Sequence, residues 1–102
     1  LDVAAAEFLA WLDSPKATTR KGRPLSRFSI RGLKQTVNAF TNGVSNVAVS
    51  SVTPELIEAW LDKRNVSPTT KDNDKRELSR FFQWCIDRPR HWLTLNPCAG
   101  VK

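Results

Sequence analysis

The tetrapeptide Ala10-Trp11-Leu12-Asp13 returns unchanged as Ala59-Trp60-Leu61-Asp62, each time closing an apolar-periodic segment. A second apolar-periodic segment follows each copy. Those segments also align, 41 residues apart: Ser26 with Ser67, Ser29 with Thr70, Lys34 with Lys75, Val37 with Leu78, and Phe40 with Phe81. A short helical hairpin cannot bury its apolar stripe alone, so duplicated hairpins bury theirs against each other. The predicted fold is therefore all-α, a four-helix bundle made of two αα-hairpins.

Local signals set the helix limits. The first helix is expected from about Asp2, read as its N-cap, to Asp13, with Ala5, Phe8, Leu9 and Leu12 on one face and Pro15 as the stop. Lys16 to Pro24 reads as a basic loop broken by Gly22 and Pro24. The second helix starts after the Ser26 cap and ends near Asn42-Gly43, with Ile30, Leu33, Val37 and Phe40 in helical phase. Val44 to Val52 is a polar connector with room for a short extended piece. Thr53-Pro54-Glu55 supplies a capping hydroxyl, a proline at the first helical position and an acid in the first turn, so a third helix begins there. It should end near Arg64, with Asn65 as a left-handed C-cap. Ser67-Pro68 opens a fourth helix, which Pro89 stops near Arg88.

That fourth helix has an uneven composition. Its C-terminal half groups Leu78, Phe81, Phe82, Cys85 and Ile86, whereas Thr69 to Glu77 contains no apolar residue. The N-terminal half is therefore expected to project beyond the core, with Asp72, Asp74 and Glu77 available as intrahelical partners of Arg76, Lys75 and Arg80. Trp92, Leu93 and Leu95 should fold back onto the bundle. Asn96-Pro97 should turn the chain outward, giving a domain of residues 1–95 and the start of a linker over 96–102.

At 102 residues the chain suits one domain with one modest core. Its longest apolar run is too short to span a bilayer, and its start has no secretory signal pattern. Two cysteines, Cys85 and Cys98, make no disulfide framework, and a reduced cytoplasmic thiol is the simple expectation.

The net charge of +6 is unevenly placed. Ser14 to Phe40 holds Lys16, Arg20, Lys21, Arg23, Arg27, Arg31 and Lys34 and no acid. Such a block favours a polyanion. On the second helix Arg27, Arg31, Lys34 and Asn38 fall at i, i+4, i+7 and i+11, bordered by Gln35, away from the apolar face. Arg and Lys suit phosphates and guanine edges, while Asn and Gln suit adenine edges. The loop cations Arg20, Lys21 and Arg23 extend that stripe. Thr70, Lys71, Lys75 and Arg76 offer further donors near a helix N-terminus, where a phosphate is favoured. Double-stranded DNA is the expected partner; a protein-interaction module meeting an acidic partner is the alternative.

Catalytic equipment is not expected in this segment. There is no Tyr, one His (His91), no glycine-rich phosphate loop and no recognisable metal-ligand spacing, so no catalytic residue, metal or cofactor is assigned. Trp11, Trp60 and Trp84 lie in apolar helical patterns and read as core.

Several motifs in order resemble the N-terminal core-binding domain of tyrosine recombinases, the phage-integrase family. They are Phe40 closing a capped helix; Val52-Thr53-Pro54-Glu55-Leu56-Ile57-Glu58-Ala59-Trp60-Leu61; Ser67-Pro68-Thr69-Thr70; Leu78 with Phe81-Phe82-Gln83-Trp84-Cys85; and Asn96-Pro97. The resemblance spans roughly Ser26 to Val101. It implies a SAM-like orthogonal bundle that clamps one face of duplex DNA, with Arg27, Arg31, Lys34, Thr70, Lys71 and Lys75 at the contact. It departs from the family at Lys71 and Lys75, where apolar residues are common. It further implies a DNA-recombination or integration role in the cytoplasm, on the nucleoid, with a separate catalytic domain and other recombinase protomers as partners.

Overall fold

A computed structural model describes residues 1–14, 18, 23, 25–44, 47–87 and 90–101. Four α-helices carry the fold: α1 (Asp2–Leu12), α2 (Arg27–Gly43), α3 (Pro54–Lys63) and α4 (Pro68–Ile86). Two short 3₁₀ helices, η1 (Val49–Ser51) and η2 (Pro97–Gly100), complete it, and no β-strand occurs among the described residues. The all-α reading holds, with four helices.

Three of the four helix starts follow the capping logic. The side chains of Ser26, Thr53 and Ser67 accept hydrogen bonds from the backbone N–H of Ser29, Leu56 and Thr70, each three residues on. Differences from expectation are local. Asp2 lies inside the first turn of α1, and the residue before it, Leu1, has no side-chain oxygen to cap with. Among its described residues the connector holds η1, flanked by extended Ala48 and Val52. Asn65 is not left-handed: α3 ends on an extended Arg64, and His91, at φ 49°, is the non-glycine residue with positive φ among those described.

The core is organised by aromatic rings. A continuous chain runs Trp11–Phe8–Phe81–Phe82–Phe40–Trp60, with successive centroids 5.1–6.0 Å apart. It visits α1, α4, α2 and α3 in turn, so one set of contacts ties all four helices. The two tryptophans of the repeated tetrapeptide sit at its two ends. Phe40 and Phe81, equivalent in the second repeat, are both fully buried in its middle. Leu12, Leu33, Val37, Ile57 and Leu78 fill in around the rings.

The C-terminal segment differs most from expectation. Residues 96–101 do not leave the bundle as the start of a linker. Cys98 and Val101 are buried with the core, and η2 packs on both α3 and α4. Asn96 fixes the turn, donating to the carbonyl and hydroxyl oxygens of Ser79 and accepting from the Cys98 N–H.

Two outcomes test this core. Phe81→Ala should destabilise the domain by about 3–5 kcal/mol in chemical denaturation, the cost of a large cavity among packed rings. Both thiols are buried, and burial pushes each up to about 12. Alkylation by iodoacetamide near pH 8 should therefore be negligible in the folded protein and rapid only after denaturant is added.

Candidate nucleic-acid interface

The helices α2 and α4 meet along a seam that is polar on one side. Thr36 of α2 is buried, and its hydroxyl lies 3.0 Å from Glu77 Oε1 and 3.3 Å from Asp74 Oδ1, both on α4. Asp74 is itself only 4% exposed. Its second oxygen lies 2.9 Å from Nε of Arg64, an ion pair without hydrogen-bond alignment. The Arg64 guanidinium in turn rests 4.8 Å from the Trp60 ring centre.

This overturns the picture of a projecting α4. Its N-terminal half is apolar-free because it docks through paired polar groups, and a carboxylate as buried as Asp74 requires such partners. Asp74 and Glu77 thus face across to Arg64 and Thr36 instead of pairing mainly along their own helix. Gly32 completes the seam. A Cβ there would fall 2.5 Å from Glu77 Oε2, so the carboxyl occupies the space a side chain would take.

The seam also orders the surface. Gly32 faces Glu77, and Thr36 faces both Glu77 and Asp74. Their inner sides meet in the core, where Phe40 contacts Phe82. Their outer sides flank the seam from solvent. On α2 that side carries Arg27, Phe28, Arg31, Gln35 and Asn38, all exposed. On α4 it carries Asn73, Arg76 and Arg80, also exposed. Leu25, Leu33, Arg80 and Gln83 line an open groove of about 630 Å³ near the start of α2.

The donors singled out from the sequence divide accordingly. Arg27, Arg31, Gln35, Asn38 and Arg76 are exposed, and the two ion pairs found among the described residues involve none of them. Lys34 is different: its ammonium bonds Asp13 of α1, so part of its charge is already answered. Arg23 is exposed at the groove. Arg20 and Lys21 lie outside the described residues, as does Lys16. Thr70 and Lys71 are half-buried, and the Thr70 hydroxyl lies 3.0 Å from that of Ser67. Lys75 is half-buried beside η2 and donates to the Val101 carbonyl at 3.1 Å.

No family model matches this chain, and no curated protein or solved structure matches it. Its function therefore has to be argued from its own surface. No group of His, Cys, Asp and Glu able to hold a metal occurs among the described residues, and no described helix is long and apolar enough to cross a membrane. His91 is an exposed tail residue.

The residue on this face that the sequence pattern does not single out is Phe28. Phe28 carried a signal: it stands out of phase with Ile30, Leu33, Val37 and Phe40, so it cannot share their buried face.

Glu77 gives the seam a pH dependence. Burial pushes its carboxyl up, the Thr36 hydrogen bond pulls it down, and the nearby Asp74 charge adds to the upward push, for a net rise above 4.5. A raised folded-state value means the folded protein holds this proton more tightly than the unfolded chain. That contribution is fully present below the ordinary carboxylate value and is lost as pH rises through the folded value. Glu77→Gln should therefore raise the melting temperature near pH 7, and the gain should shrink as pH falls to about 4. An equal gain at both pH values would show that the carboxyl is unperturbed.

Proposed function

We propose that this chain is a non-catalytic domain that binds duplex DNA through the outer face of α2, with α4 alongside. The observation that carries this is the row of exposed donors Arg27, Arg31, Gln35 and Asn38, with no acidic residue anywhere on α2. A helix kept merely for solubility usually interleaves signs to gain i,i+4 pairs. Every member of this row can donate a hydrogen bond and none carries negative charge, which suits phosphate oxygens and base edges in the major groove. Arg76 and Arg80 continue the same sign across the seam.

The motif order from Phe40 to Asn96-Pro97 supports a more specific role, the core-binding domain of a tyrosine recombinase of the phage-integrase family. In that role the domain works in the cytoplasm, on the nucleoid. Because this chain has no Tyr, the nucleophile of strand exchange would come from a separate catalytic domain, and other recombinase protomers would share the DNA. A single module of this size makes a small contact, so modest affinity from the isolated domain fits the role.

Titration of a mixed-sequence duplex at several salt concentrations tests the DNA reading. Affinity should fall steeply with salt, and Arg27→Ala with Arg31→Ala should flatten the log–log slope by about two units while leaving the melting temperature unchanged. Lys34→Ala should flatten it less, because Asp13 already holds that ammonium. Absence of duplex binding, or a slope unmoved by the double substitution, would remove DNA as the partner and favour an acidic protein.

A further inference from the structure

Of the nine aromatic side chains, eight are buried or half-buried in the bundle. Phe28 is 86% exposed. It lies in the first turn of α2, on the face that carries the donors: Phe28, Arg31 and Gln35 follow at i, i+3 and i+7, with Arg27 beside it. One turn on, at i+4, stands Gly32, which has no side chain for the ring to lie against, and Glu77 fills the space there. The other large exposed apolar residues are Val3 on α1, Val66 before α4 and Leu95 in the tail, so none shares the helix. Phe28 is therefore a single apolar group set among hydrogen-bond donors, not the centre of an apolar patch.

That arrangement has a counterpart in DNA. The major-groove edge is a field of hydrogen-bonding groups with one apolar element, the 5-methyl of thymine. A protein-binding hot spot would surround an aromatic anchor with further apolar contacts, and Phe28 has polar or absent neighbours along α2 instead. Building on the duplex-binding role proposed above, we propose that Phe28 is a specificity-determining residue that packs on a thymine methyl in the major groove, while Arg27 and Arg31 hold the flanking phosphates or guanine edge. Gln35 lies two turns further along the same face, placed to meet a neighbouring base.

The test removes one methyl group at a time. Duplexes enriched by the full chain from a random-sequence pool are resynthesised with deoxyuridine in place of each thymine. The unmodified protein should bind the thymine duplex about fourfold more tightly than its deoxyuridine twin at one position or two, the effect of burying one methyl. Phe28→Ala should melt at the unchanged temperature and bind both duplexes equally, and Phe28→Leu should keep part of the preference. Arg31→Ala should weaken both duplexes together and leave their ratio intact. A pool that fails to enrich, or a ratio that survives Phe28→Ala, overturns the thymine assignment while Arg31→Ala still reports on duplex binding. A Phe28→Ala variant that instead loses only a preference for duplexes with an unpaired base would make the ring an intercalating wedge and also end the assignment. If no duplex binds and Arg31→Ala changes nothing, the DNA reading and the thymine assignment both fall.

Discussion

A buried carboxylate governs how this bundle is assembled. Asp74 sits in the wall between α2 and α4, nearly closed off from water, and an unpaired charge there would cost several kcal/mol. Two side chains from other parts of the bundle converge to answer it: Thr36 from α2 and Arg64 from the end of α3. The aromatic chain would tolerate some sliding of one helix over another, because dispersion and hydrophobic burial are not directional. The Asp74 contacts would not, because an ion pair and a hydrogen bond lapse within about an ångström. Register between α2 and α4 is thus set by polar atoms, and stability chiefly by apolar ones.

That division explains what could be read from the amino-acid order. Helix number, the Ser26, Thr53 and Ser67 caps, and the buried set around Phe40, Phe81 and Trp60 all follow from local rules of period and capping. The N-terminal half of α4 did not follow, because nothing local distinguishes a polar turn facing water from one facing Thr36 and Arg64. Asp74 pairs with a residue ten positions earlier in another helix, and Glu77 with one 41 positions earlier. Lys34 shows the same limit: its position on the α2 stripe is periodic, but Asp13, which holds it, is met only in three dimensions. Phe28 was legible in part, since its phase excludes the core, although phase alone gives it no task.

The repeat has a similar reach. It places Trp11 and Trp60 at opposite ends of one chain of rings, so sequence equivalence becomes spatial opposition. The surroundings do not follow the repeat. Arg64 covers the Trp60 ring, whereas Trp11 stacks with Phe8 and borders the open groove. The positive surface belongs mainly to the first hairpin, and the buried acids that fix its orientation belong to the second.

The docking of η2 has a consequence for how the chain reaches this structure during synthesis. Gly100 lies so close to Pro54, at the start of α3, that an added Cβ would meet the proline ring at 2.7 Å. Val101 holds the Lys75 ammonium. Both contacts join residues made later to residues made well before. On a ribosome, α1, α2 and α3 emerge first, yet the side of α3 that packs on η2 stays uncovered until η2 has cleared the exit tunnel. The bundle therefore closes late and as one unit, and until then the nascent α3 carries an uncovered apolar face, the kind of surface that chaperones recognise.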